Sequence, residues 1–234
     1  MSILLETPVG QLVVDKPDRA HIFQRFQIDY CCGGAQPLGQ ACVAKNVDPQ
    51  IILSEIANQD SRADVNSEPD WTKATMSALV DNILNQHHEY LRNALPHLGE
   101  MAEKVYNVHG ESHPELLNVL QTFAGIFQEL DSHMYKEENI LFPAIKRLEQ
   151  GTIPPAAAAQ LFGPVSVMEA EHAAVGAELE KLRNLTNNYT PPDGACNTYR
   201  GLFAGLEELE RDLHWHIHKE NNILFPRALA GANQ

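Results

Sequence analysis

The sequence predicts an all-α protein: an antiparallel four-helix bundle preceded by a small helical N-terminal domain. Three observations carry this expectation. No strand-length run of β-branched residues occurs anywhere in the 234 residues. Beyond about residue 71, apolar residues recur at helical spacing in four long stretches with short or modest connections, which is the pattern of antiparallel bundle helices. One unusual phrase is written twice, as YKEENILFP at residues 135–143 and HKENNILFP at 218–226, so the bundle reads as two related helical hairpins.

Up to about residue 57, short helical patterns alternate with turn signals. Asp15 is placed to cap a helix with Pro17 in its first turn, and Ala20, Ile22, Phe23 and Phe26 give it an apolar face until Gly33-Gly34 ends it. A second short helix falls near Pro37 to Ala44, and a third starts at Asp48-Pro49 and carries Ile51, Ile52 and Ile56. Residues 58–70, NQDSRADVNSEPD, are polar without an apolar period and read as a linker, which sets the domains at 1–57 and 71–234. The long helices are then expected over roughly 72–98, 114–149, 165–187 and 196–229. They are separated by His109-Gly110, by GTIPPAAAAQLFGP and by NNYTPPDGA.

Composition narrows the function classes. Apolar residues make up 44% of the chain, enough for a sizeable core, while the net charge of −14 argues against nucleic acid or an anionic membrane surface as partner. No apolar run approaches the ~18 residues a membrane helix needs. The N-terminus lacks a basic start and places Glu6 where a signal peptide would be apolar, so the expectation is a soluble, cytoplasmic protein. Four cysteines in a chain of this length do not make a disulfide framework. A small ligand or a protein partner fits the composition, and a homodimer stays open.

The repeat carries the chemistry. Aligning His133–Pro143 with His216–Pro226 gives eight identities in eleven positions at an offset of 83 residues, and upstream of them His88 and His172 match at an offset of 84. Each hairpin thus contributes one histidine from its first helix and a His-x-x-x-Glu pair from its second: His133 with Glu137, and His216 with Glu220. Residues i and i+4 share a helix face, so each pair can aim nitrogen and oxygen at one point, with Ile140, Leu141, Ile223 and Leu224 continuing the inward face. Ionisable groups on a buried stripe are costly unless paired or bound to metal. Four imidazoles, two carboxylates and no thiolate suit a pair of iron or manganese ions in a bundle core, with coordination positions left open for a small ligand. His87 competes with His88, and the stripe Leu84, His88, Leu91, Leu95 favours His88. Phe142-Pro143 and Phe225-Pro226 are expected to bend the helices and pack the rings over the site. His214 and His218 align with Asp131 and Tyr135 and read as residues behind the site or on the surface, while His21, His97, His109 and His113 have no partner pattern.

DYCCGG at residues 29–34 is the other unusual phrase. Adjacent cysteines close a disulfide only through a strained ring, so Cys31 and Cys32 read as exposed thiols able to take a metal, a nitrosyl group or a redox equivalent. A position at a helix C-terminus would raise their pKa. Cys42 and Cys196 are isolated and carry no expected role.

DYCCGG together with SHMYKEENILFP, SVMEAEH and HIHKENNILFP resembles the iron-sulfur cluster repair di-iron proteins of the YtfE/ScdA type, in which a small helical domain precedes a hemerythrin-like bundle. The likeness covers nearly the whole chain. It implies two non-haem irons with an oxo or hydroxo bridge, with His88, His133, His172 and His216 as terminal ligands and Glu137 and Glu220 bridging. It further implies that Glu171 sits beside the site and that the Cys31-Cys32 pair takes part in the family's function. The implied function is restoring iron-sulfur proteins damaged by nitric oxide or oxidative stress, through iron supply or nitric oxide chemistry. Two alternatives stand beside it: a hemerythrin-like protein that binds or senses dioxygen or nitric oxide, and a di-iron oxidase or peroxidase. Hemerythrins use five histidines including a His-x-x-x-His pair, whereas both pairs here are His-x-x-x-Glu, which favours the repair family.

Overall fold

The computed structural model describes residues 5–61, 69–152 and 159–232. Among these there is no β-strand, only an isolated bridge between Pro8 and Pro37. The N-terminal segment forms α1 (Val9–Asp15), a 3-10 turn (Pro17–Arg19), α2 (Ala20–Arg25), α3 (Leu38–Ala44) and α4 (Pro49–Asp60). Val9, Leu12 and Val13 are buried at helical spacing, so the first helix begins ahead of Asp15, which is its last residue and not a cap. α2 ends at Arg25, well before Gly33-Gly34, because Gln27 takes a φ of 55° in the left-handed region that terminates helices. Residues 29–34 therefore follow as a loop. Asp48 does cap α4, accepting from the Gln50 amide at 2.9 Å. That helix continues to Asp60, whose carboxylate takes Arg19 Nη2 at 2.7 Å and Nε at 3.1 Å, so the first residues of the expected linker are helical. Residues 62–68 of that linker and 153–158 of the Pro-rich connection lie outside the described residues.

The remainder forms four rods. The first is α5 (Met76–Asn82), a π-helical turn (Ile83–His88) and α6 (Glu89–His109). The second is α7 (Glu115–Lys136), a π turn (Glu137–Leu141) and α8 (Phe142–Glu149). The third is α9 (Phe162–Leu185), and the fourth is α10 (Asn197–Lys219), a π turn (Glu220–Leu224) and α11 (Phe225–Ala232). α6 packs on α7 and α10, and α9 packs on the same two, which makes the four-helix bundle. The first rod runs past the expected end at 98 to His109, through Pro96. Pro96 lies on the exposed face, where water can satisfy the carbonyl that its ring leaves unbonded.

Two apolar cores fill the bundle, and the functional residues fall between them along every rod. One core holds Leu91, Leu130, Met134, Val175 and Leu213, the other Ile83, Leu141, Met168, Ile223 and Leu224. His88, His133, Glu137, His172, His216 and Glu220 occupy the interval, all at most 3% exposed. A third core, built on Val9, Phe23, Tyr30, Leu38 and Ile52, belongs to the N-terminal segment and takes Trp215 of the bundle against it.

Candidate metal centre

The two Phe-Pro steps shape the rods at the site. Proline has no N–H and its ring would strike the carbonyl four residues back, so the turn before it widens. Phe142 N–H then reaches back five residues to the Glu137 carbonyl, and Phe225 N–H to that of Glu220. Each widened turn inserts one residue and advances the helix face. Leu141, Phe142 and Ile145 are buried; Ile140, expected to point inward, is 56% exposed, whereas Ile223 at the same place in the other copy is buried. The Phe142 ring lies 5.8 Å from that of His88, and Phe225 stacks on His172 at 6.1 Å.

The six expected residues are brought together in two overlapping groups: His88, Glu137, His216 and Glu220, and His133, Glu137, His172 and Glu220. Within each group the nearest ligand atoms lie within 4.8 Å of one another. Glu137 turns Oε2 to His88 Nε2 at 3.3 Å and Oε1 to His133 Nε2 at 3.2 Å. Glu220 turns Oε1 to His216 Nε2 at 3.3 Å and Oε2 to His172 Nε2 at 3.2 Å. Each carboxylate thus faces both groups with one oxygen apiece.

Three of the four imidazoles are oriented from behind. His88 Nδ1 donates to Glu138 Oε1 at 2.7 Å, His133 Nδ1 to Glu171 Oε2 at 2.9 Å and His172 Nδ1 to Asn221 Oδ1 at 2.8 Å. Glu138 is paired in turn with Arg92, and Glu171 with Lys136. These contacts place the ring proton on Nδ1 and leave the Nε2 lone pair pointing inward. His87, the competitor for His88, lies outside both groups, stacked on His216.

A cation fits this donor set. All four oxygens of Glu137 and Glu220, with His88 Nε2 and His216 Nε2, are buried without a hydrogen-bond partner among the described residues, and His133 Nε2 faces His172 Nε2 at 2.9 Å. Orphaned buried carboxylates facing inward lone pairs are unfavourable unless positive charge lies between them. Protons supply it when no metal is bound. Burial opposes charging His133, but Glu137, Glu220 and Glu171 outweigh it and push the imidazole up to about 9. His88 is raised likewise, its burial overcome by Glu137, Glu138 and Glu220. Burial would raise Glu220, yet His216 and His172 hold it well below the usual carboxylate range.

The N-terminal loop docks against this centre. Asn222 donates to the carbonyls of Cys31 at 3.1 Å and Tyr30 at 3.4 Å, and His218 Nδ1 donates to Tyr30 O at 3.3 Å. A Cβ at Gly34 of the loop or at Gly10 of α1 would collide with Asn222, so the close approach needs glycine at both. His218, expected behind the site or on the surface, is fully buried beneath the loop, and burial pushes its pKa down to about 4. Asp29 folds the loop by accepting from the amides of Cys31 at 2.9 Å and Gly33 at 2.8 Å. Both thiols are free, but Cys31 is buried and not exposed as expected. Its pKa is indeed raised, though by the hydrogen bond with Cys32, burial and Asp29 and not by a helix terminus. Cys32 Sγ lies 3.3 Å from the His172 carbonyl oxygen and half-exposed at a cavity of about 860 Å³. Asp29, Cys31 and Cys32 form a further group of possible metal-ligand atoms within 4.8 Å.

Glu138, Asn221 and Asn222 were not singled out in the sequence, although Glu138 and Asn221 stand at equivalent positions of the repeat, directly after the two inward glutamates. That equivalence was the available signal. Asn222 had none, because its repeat partner Asn139 bonds only its own helix backbone.

Comparison with known proteins agrees with the geometry. Residues 79–228 match the hemerythrin HHE cation binding domain, and residues 5–60 match the ScdA_N domain of unknown function. The iron-sulfur cluster repair protein YtfE of Yersinia pseudotuberculosis serotype IB is 42% identical over 223 residues, covering 95% of this chain and 96% of that protein. YtfE of Yersinia pestis strain Pestoides F is 41% identical over the same length. With both segments matched and nearly the whole length shared, the chain belongs to the YtfE family of iron-sulfur cluster repair proteins.

Proposed function

We propose that this protein holds two iron ions per chain and uses them to restore iron-sulfur clusters damaged by nitric oxide or oxidative stress in the cytoplasm. His88 and His216 would hold one ion and His133 and His172 the other, with Glu137 and Glu220 shared between them. When bound, such a centre supplies transferable iron and a site for nitric oxide or electron exchange. The chain's own part is to orient the imidazoles through Glu138, Glu171 and Asn221, to close the site with Phe142 and Phe225, and to fix a thiol loop beside it.

The observation that carries the repair reading, beyond family membership, is the docking of the Cys31–Cys32 loop through Asn222 and His218, with Cys32 at the carbonyl of His172. A gas carrier needs only the metals and an open position. Thiolates are soft ligands able to hold iron or a nitrosyl group in passage, and these two sit with a carboxylate at an open cavity wide enough for a partner's donor group. Residues 1–57 would act as a thiol-bearing unit and 71–234 as the metal-bearing one.

The test is reactivation of a nitric oxide-damaged iron-sulfur enzyme by parent and by Cys31→Ala with Cys32→Ala. The expected result is unchanged iron content of about two per chain, with reactivation reduced severalfold. Equal reactivation removes the thiols from the mechanism, and a single zinc, or no metal after iron supplementation, removes the two-iron centre.

A further inference from the structure

The repeat assigns every residue behind the imidazoles an equivalent in the other hairpin. Glu138 corresponds to Asn221, and each accepts from the first-rod histidine of its own hairpin. Glu171 corresponds to His87, since each directly precedes that histidine. Here the symmetry fails. Glu171 accepts from His133 Nδ1 and pairs with Lys136. His87 has both nitrogens committed elsewhere, Nδ1 to Asp212 Oδ1 at 2.8 Å and Nε2 to Lys219 Nζ at 3.1 Å. Its ring lies parallel to that of His216, 5.2 Å between centroids at 1°. Neither nitrogen is left to accept from His216 Nδ1, which is 1% exposed as a residue and has no hydrogen-bond partner at that atom among the described residues.

We propose that His87 makes the two metal positions unequal: the ion held by His88 and His216 is the exchangeable one, and the ion held by His133 and His172 is retained. The inference rests on the two-metal reading above. A hydrogen bond from the outer ring nitrogen fixes the tautomer and pushes electron density toward the ligating nitrogen, and its loss typically weakens metal binding by about 10–100-fold. His133 and His172 both have that bond, to Glu171 and Asn221. On the other side only His88 has it, and behind His216 lies the stacked His87 ring instead of an acceptor. His87 is therefore a positioning residue acting through His216, placed where the other half carries a carboxylate.

The full chain, loaded anaerobically with ferrous iron, is mixed with excess of an absorbance-reporting ferrous chelator. Two phases of one ion each are expected, separated by about tenfold or more. His87→Glu restores the residue of the other hairpin and is expected to slow the fast phase severalfold, whereas His87→Ala supplies no acceptor and leaves it unslowed. Glu171→Gln, independent of any folding defect at position 87, is expected to accelerate the slow phase only. Release of both ions at one rate overturns the proposal, as does acceleration of the fast phase by Glu171→Gln or slowing of it by His87→Ala. Failure of the parent to take up two ions defeats the two-metal reading itself and is seen before any chelator is added.

Discussion

The two hairpins of the bundle share their inward chemistry and differ on their outward faces. Tyr135 and Ile140 of the first hairpin are exposed, while their counterparts His218 and Ile223 are buried. Asn139 bonds the backbone of its own helix, whereas Asn222 reaches the carbonyls of the DYCCGG loop. Ser132 is exposed and its counterpart Trp215 packs into the N-terminal core. A duplicated element keeps the residues whose charges must balance one another at the centre, since losing one leaves the others buried and unpaired. Its outer face carries no such constraint, and here one copy has become the seat for the thiol loop.

The largest test of that division is on the shared carboxylates. Glu137→Ala and Glu220→Ala each remove oxygens from both groups of donors, so either is expected to weaken binding of both metals by more than about 100-fold, read as metal content after gel filtration. Retention of one tightly held ion in either variant would break the view that the inward residues of the hairpins act as one unit.

Protons come next. With His133 pushed up to about 9 in the metal-free chain, it is charged at neutral pH and must lose its proton to ligate. Apparent metal affinity is therefore expected to rise about tenfold per pH unit for that proton as pH increases from 7 toward 9, and to level above it. Titrations at fixed ionic strength check this, and a flat profile over that range contradicts the electrostatic picture of the site.

The smallest effect separates the outer faces. Asn222→Ala leaves the carbonyls of Tyr30 and Cys31 without this donor and is expected to cost about 1–3 kcal/mol, with faster hydrogen exchange over residues 28–36. Asn139→Ala, on an exposed face, is expected to stay within about 0.5 kcal/mol. Equal effects would mean that Asn222 does not hold the loop.

The sequence by itself determined the helical class, the four rods and the inward residues. Helical periodicity is a local property, and a phrase written twice gives the same face twice, so His133 with Glu137 and His216 with Glu220 could be aligned without coordinates. His88 was separable from His87 by the stripe it shares with Leu91 and Leu95, both buried. Ile140 was misplaced although its counterpart Ile223, on an equivalent π turn, is buried, so burial at this position depends on what packs over it, which helical period does not specify. Only the tertiary structure decided what lies behind the ligands and beneath the loop. Asn222, His218 and the failed equivalence of His87 with Glu171 depend on which groups meet across elements far apart in the chain, and no local rule of helix formation specifies that a given outward side chain will find a carbonyl, a ring or water.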